Sequence, residues 1–545
     1  MFSLMPLLIG LLLAAASLTP SLIPRDWIMQ GALAGASMAA GYLAMQFLLA
    51  IWRTLQIPVL TGRRASLAHA IIALPVLALL LRCVALSTEW QNSIRSRMDM
   101  PPLEAANTSK MILLAMAIFL TLFLIGKAVQ ALFDLLRLRL ARYIPVASAN
   151  VLGLLLAALI VVMLTRDGVV NWAMQIADRS YVAAQHLTDP NRPPPAADWQ
   201  SGGPGSLIDW GLIGAPGRDF VLDGPRAAAI AAFTGRPARE PLRIYVGLAQ
   251  DKSPETRARV AFDEMLRVGA FDRKVLVLAS PTGTGWMDPA SYDALEYMQD
   301  GDVATVAVQY SYLQSPLALI FETDSGLDQT TALMRIVYDH WRSLPAERRP
   351  RLYLHGISLG AWSSMYAFNP FQMMNEPVSG ALWVGPPFPS TLWRQTNAAR
   401  EPGSPYILPQ IDEGEVIRYA SQYAPPDRSG KPWGRLRILF LQHASDPIVF
   451  YDPASLWRAP EWMHEPLAPD VSPRLRFVPI VTQLQLAVDM LVSTLPPPGY
   501  GHRYDAEEYI DGWVAVTAPA DWTAAETARL KAKCGKDGRI GCDNG

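Results

Sequence analysis

The pentapeptide Gly356-Ile357-Ser358-Leu359-Gly360 sets one serine between two glycines, a spacing suited to a hydroxyl nucleophile. A serine carried on a sharp strand-to-helix turn stands clear of its neighbours, and the N–H of the next residue, Leu359, can donate to an oxyanion. The glycines let backbone approach backbone at such a turn. The hydroxyl needs a base, and the base needs an orienting carboxylate. In the chain order serine, acid, histidine, the candidate acid is Asp446 in HASDPIVF, with Asp452 as the alternative; either position would also suit an ordinary loop cap. The candidate base is His502 in the glycine-flanked PPPGYGHRY, with His464 of the Trp- and Pro-rich WRAPEWMHEP as the alternative. His355 and His443 read as packing or supporting histidines, and His186 and His340 have no supporting context. Further oxyanion donors are expected from Gly283, Thr284 and Gly285 in the turn Pro281–Trp286 (PTGTGW). That turn lacks the Lys-Ser/Thr ending of a phosphate-binding loop. With no zinc-like cysteine or histidine spacing either, neither metal nor cofactor is expected.

The surrounding elements fit that chemistry. Short apolar runs at Leu242–Leu248, Lys274–Ser280, Val303–Ser311, Arg351–His355, Gly380–Val384 and Leu436–Gln442 read as strands. Helical patterns at Glu255–Val268, 290–299 and Thr330–Leu344 alternate with them. Continuous apolar strands separated by helices mean a parallel sheet covered on both faces. The expected class is α/β, an open, doubly wound, mostly parallel sheet. The serine motif follows the strand RLYLH directly, and Asp446 follows LRILFLQ, so both stand at carboxyl ends of strands, where sites form in open sheets.

The first 166 residues read differently. Five stretches, roughly 4–23, 30–51, 67–88, 111–133 and 146–165, are dense in Leu, Ala, Ile, Val, Met and Phe, and about 20 such residues cross a bilayer. An all-α transmembrane bundle of about five helices is therefore expected over residues 1–166. Arg53, Arg63 and Arg64, with Lys127, Arg137, Arg139 and Arg142, lie in loops of one face. Arg25, Arg95, Arg97 and Lys110 lie on the other, mixed with acids. The excess of basic residues makes the first face cytoplasmic, which places the N-terminus inside and everything after residue 166 outside, at a cell membrane. Acid pairs and basic ladders that would mark an ion path are missing from the spans, which argues against transport.

Between these parts, residues 167–240 read as an interfacial helix followed by a Pro- and Gly-rich linker or surface wrap. A catalytic region at 241–520 and a tail at 521–545 complete the organisation. Lysine plus arginine number 47 against 48 acids, a balance that argues against a nucleic-acid partner, which would need a basic face. Of three cysteines, Cys83 sits in an apolar run, while Cys534 and Cys542 are close enough to pair or to stay free thiols. Pairing would fit an oxidising compartment.

The segments SLIDWGLIGAPGRDFV, RIYVGL, GAFDRKVLVLASPTGTGWMDP, VAVQYSYLQS, LHGISLGAWSS and LQHASDPIVF together resemble a family of bacterial integral-membrane α/β-hydrolases, which join an N-terminal multi-span region to a C-terminal hydrolase domain. The resemblance covers nearly the whole chain. It implies an α/β-hydrolase fold and a Ser358–Asp446–His502 triad, and leaves the substrate open. The function expected is a membrane-anchored serine hydrolase acting on an ester of a membrane lipid or envelope component, with the bilayer as its partner. An acyltransferase with the same triad, or a scaffold that keeps only the fold, are the alternatives.

Overall fold

In a computed structural model of the chain, residues 4–56, 62–104, 107–163, 192–313, 323–428, 431–535 and 541–542 are described. The chain forms two compact units. One comprises Met1–Ala177 with Tyr451–Pro496, the other Asp178–Phe450 with Pro497–Gly545.

The second unit is built on seven strands: β1 (Leu242–Val246), β2 (Val275–Ser280), β3 (Val303–Val308), β4 (Arg351–Ile357), β5 (Gly380–Val384), β6 (Ile417–Ala420) and β7 (Arg437–Leu441). Their order across the sheet is β1-β3-β2-β4-β5-β7-β6, and every neighbouring pair is parallel. This is the α/β-hydrolase class expected. β2 and β3, VLVLAS and VATVAV, are buried at every residue, as strands with helices on both faces must be. β6, IRYA, was not expected. With four residues, one of them Arg418, it offers too short an apolar run to read as a strand.

Residues 192–240 pack within this unit. They carry the helices Ala215–Leu222 and Ala227–Thr234, and the Phe220 carbonyl accepts from Arg243 Nη1 at 3.0 Å. Arg243 also meets Asp293 at 2.6 Å and Glu296 at 2.8 Å, all three buried. The interfacial helix expected at 167–188 lies outside the described residues. The tail forms the helix Ala524–Lys533, opened by a capping box of Thr523 and Glu526, and Cys534 is bonded to Cys542.

The first unit holds the apolar helices Leu4–Ser17, Trp27–Thr54, Gly62–Arg95, Thr108–Leu140 and Val146–Val162. Three are long and apolar enough to cross a membrane, over Trp27–Trp52, Ala65–Arg95 and Thr108–Leu140; the other two are shorter apolar helices. The first helix stops at Ser17, short of the 4–23 stretch, because the next residues turn to meet a carboxylate. Asp489 accepts from Ser21 Oγ at 2.9 Å and from the backbone N–H of Leu22 at 3.0 Å and Ile23 at 3.4 Å. Arg25, fully buried, stands 4.0 Å away. The Gln485 amide donates to the Thr19 carbonyl at 2.9 Å, Ser93 Oγ lies 2.8 Å from Ser472 Oγ, and Arg97 Nε donates to the Val471 carbonyl at 3.1 Å. These bonds tie Tyr451–Pro496, a stretch within the region 241–520, to the N-terminal helices.

Candidate active site

Pairing register brings the carboxyl ends of the central strands level. Ser280 stands opposite Gly356, Ile357 opposite Val384, and Val384 opposite Leu441. Whatever follows β2, β4, β5 and β7 therefore emerges along one rim.

Ser358 follows β4 immediately and caps the helix Leu359–Ala367. Its φ of 57° lies in the left-handed region, a strained setting for a residue with a side chain and one that clusters at functional sites. Its N–H donates to the Val384 carbonyl at 2.9 Å. The turn is tight enough that a Cβ on Gly356 would lie 2.3 Å from the Gly360 carbonyl carbon, and one on Gly360 would lie 2.1 Å from the Ser280 carbonyl oxygen. Glycine is obligatory at both positions, and the second contact sets the start of the PTGTGW turn against the serine turn.

Asp446 and His502 come together, although 56 residues separate them in sequence: His502 Nδ1 donates to Asp446 Oδ2 at 2.6 Å. That bond fixes the proton of the neutral ring on Nδ1 and leaves Nε2 as an acceptor. The ring lies over Gly385, where a Cβ would come within 2.7 Å of His502 Cε1, one residue beyond the carbonyl that holds Ser358. Ser358 Oγ and His502 Nε2 are both buried, and neither has a hydrogen-bond partner among the described residues. The described residues thus form the His502–Asp446 contact but no hydrogen bond between Ser358 Oγ and His502 Nε2.

Asp446 is fully buried. Its Oδ1 accepts from the Ile448 N–H at 2.8 Å and its Oδ2 also from Tyr504 OH at 2.8 Å. Burial, and then the Asp446 carboxylate, raise Tyr504 well above the usual phenol range, so this hydroxyl stays a donor. His443 supports the same loop. Its Nδ1 lies 2.9 Å from the Gly501 carbonyl and its Nε2 2.7 Å from Glu508 Oε1, and its ring stacks on Tyr504 at 4.2 Å. Ser445 Oγ accepts the Gly501 N–H at 3.0 Å. Neither Tyr504 nor Glu508 stood out in the sequence; only proximity in number to His502 could have raised them.

The alternatives fall elsewhere. Asp452 accepts from the Ala454 N–H at 2.8 Å as a helix cap, and with His464 it belongs to the first unit. His355 is buried beneath the rim with Nδ1 on the Leu382 carbonyl at 2.7 Å and Nε2 on Ser291 Oγ at 2.9 Å. Burial lowers it to about 4, so it packs as a neutral ring. His340 lies edge-on against Phe262 and Phe271.

In the PTGTGW turn, the Gly285 N–H is engaged by the Thr282 carbonyl at 2.9 Å. Tyr245 OH donates to the Gly285 carbonyl at 2.8 Å and Gln309 Nε2 to the Thr284 carbonyl at 3.2 Å. These bonds pin the turn from behind. It leads to Asp288, the cap of the helix Pro289–Met298, whose Oδ2 accepts from Tyr509 OH at 2.9 Å. Burial pushes the Asp288 carboxyl up to about 6. A carboxyl raised on folding stabilises the protein most below its unfolded value and loses that contribution as pH rises through 6. Between pH 5 and 7 the wild type is therefore expected to lose about 1 kcal/mol that Asp288→Asn does not lose, measurable as a flatter dependence of Tm on pH in the variant.

A family model described as "Alpha/beta-hydrolase family" matches residues 242–530, and one described as "Alpha/beta-hydrolase family N-terminus" matches residues 18–225. No curated protein and no solved structure matches the chain.

Proposed function

Because this chain belongs to the alpha/beta-hydrolase family, we propose that it is a membrane-anchored serine hydrolase that cleaves an ester of a membrane lipid or envelope component through an acyl-enzyme. The observation that carries the reading is the 2.6 Å contact of His502 with Asp446, combined with a left-handed Ser358 whose buried hydroxyl has no partner among the described residues. Ser358 Oγ attacks the ester carbonyl while His502 Nε2 takes its proton. Asp446 holds the ring in the tautomer that makes this possible and offsets the charge of the imidazolium. The Leu359 N–H at the helix start and the Gly283 N–H of the neighbouring turn, with Thr284 beside it, face the oxyanion. His502 returns the proton to the leaving alcohol, and water then attacks the acyl-enzyme by the same route in reverse.

The anchoring rests on the three long apolar helices and on their two shorter companions, which we read as five spans. The basic residues near the ends of the helices that meet on one face, Arg53, Arg63, Arg64, Arg137, Arg139 and Arg142, support an N-terminus in the cytoplasm and a hydrolase unit outside. The Cys534–Cys542 disulfide fits that side, where thiols oxidise.

The test is to treat the full chain in mild detergent with a fluorophosphonate and to map the adduct by mass spectrometry. The expected adduct is on the peptide containing Ser358. A folded protein that takes no label there would overturn the reading and leave a scaffold that keeps only the fold. Once activity on a simple ester is in hand, Tyr504→Phe gives a finer check. It strips one donor from the Asp446 carboxylate, which then holds the imidazolium more strongly. The acid limb of the kcat/KM profile is expected to move to higher pH by up to about one unit.

A further inference from the structure

The helix Val481–Leu491 breaks the usual rule for a surface helix. One face, formed by Val481, Thr482, Gln485, Leu486 and Asp489, is buried against the residues that join the first two helices of its own unit. An ordinary amphipathic helix would turn charged residues outward from such a face. Here the half-buried and exposed positions are Gln483, Leu484, Ala487, Val488, Met490 and Leu491, continued by Thr494 and Leu495, none of them charged. Leu491 is 65% exposed and Leu495 64% exposed. Asp489 is the one charged residue between Arg476 and His502, and it points inward. Beside the start of the helix, the Leu456 carbonyl accepts the Ile480 N–H at 2.9 Å, which adds the exposed Leu456 and Trp457 to the uncharged face.

We propose that this face lies in the surface of the lipid bilayer, making Val481–Leu491 an in-plane helix and giving the chain a second membrane contact. Two observations select lipid as its occupant. The buried face is bonded to Ser17, Thr19, Leu22 and Ile23, between the end of one apolar helix and the start of the next, which is headgroup level if those helices span. The same unit leaves other apolar side chains uncovered on its long helices, Leu113 among them at 73% exposure, so the uncharged face continues a surface of the same kind. A monotopic helix usually keeps its polar side in water; here docking covers that side, and only the apolar side needs a solvent. Trp457, whose ring is at home between headgroup and acyl chain, fits the same level. Asp446 lies five residues before the stretch Tyr451–Pro496, which carries this helix, and His502 six residues after it. A lipid surface would thus be held by the piece of chain that joins the proposed acid to the proposed base, as suits an amphiphilic ester. The proposal rests on the membrane reading of the three long helices.

The test is site-directed spin labelling of the full chain in phosphatidylethanolamine–phosphatidylglycerol vesicles, in a Cys83→Ala background, with Leu491→Cys and Leu495→Cys in separate variants. Leu113→Cys serves as the reference for lipid and Glu347→Cys, on the hydrolase unit, as the reference for water. Oxygen is expected to outcompete a water-soluble nickel chelate at 491 and 495 by severalfold relative to 347, approaching the ratio at 113. A ratio at 491 and 495 equal to that at 347, with 113 in lipid, overturns this proposal alone. Low collision rates with both reagents at 491 and 495 also overturn it and point to a protein partner or a second copy. If 113 itself reports water, the spanning reading fails and this proposal with it.

Discussion

Ser358→Ala and His502→Ala are each expected to lower the hydrolysis of an activated ester by about 10⁴-fold or more. The double variant is expected to be scarcely worse than either single one, because a nucleophile and its base act as a unit and removing one disables the other. Hydrolysis by the variants within tenfold of wild type, measured on protein with an unchanged melt, would sink the proposed mechanism. Ser358→Ala carries a second expectation of opposite sign. The Ser358 hydroxyl is buried without a hydrogen bond among the described residues, a state that costs about 1–3 kcal/mol. Alanine keeps the backbone of the turn and discards that cost. The inactive variant should therefore melt no lower than wild type, and up to a few degrees higher, which is the mark of a residue kept for chemistry rather than for folding.

Asp489→Ala is expected to destabilise the N-terminal unit by about 3–5 kcal/mol, the range for breaking a buried ion pair. Asp489 accepts from Ser21, Leu22 and Ile23, and Arg25 stands beside it with both side chains fully buried. Removing the carboxylate strands these donors and a guanidinium whose Nε and Nη1 already lack hydrogen-bond partners among the described residues. Pairing Asp489→Leu with Arg25→Met should recover much of the loss, because no charge is then left buried. Thermal unfolding of the full chain in detergent, followed by tryptophan fluorescence, gives both values. If Asp489→Ala melts within a degree of wild type, the segment 451–496 is not held to the helices in the way described.

The parallel sheet was legible in the sequence because strands buried on both faces have to be largely apolar. Six of the seven strands read as such runs, and β6 escaped because four residues, one of them arginine, leave no run to read. The serine turn was legible for a related reason. Its two glycines answer a local geometric need, and local needs leave local marks. The partners that come from far along the chain leave none. Asp489 meets Ser21 across 468 residues, and nothing in VTQLQLAVDML announces that its one acid faces inward to a loop near the N-terminus. Tyr504 likewise reads as an ordinary aromatic residue until its hydroxyl is seen on Asp446. The first apolar stretch gave a longer helix on paper than in the structure, since hydropathy cannot tell that Leu22 and Ile23 spend their N–H groups on that same acid.

The excursion of the chain through Tyr451–Pro496 also sets a schedule for biosynthesis. The ribosome delivers the N-terminal helices first, but the carboxylate that Ser21–Arg25 require arrives more than 460 residues later, after all seven strands. His502 follows Asp489 by another 13 residues. A nascent chain therefore carries the serine turn and Asp446 while still without its histidine, and it receives that histidine only after the helix that completes the N-terminal unit has been made. Under the proposed mechanism, a chain truncated anywhere before residue 502 is a silent esterase, whatever the state of its sheet.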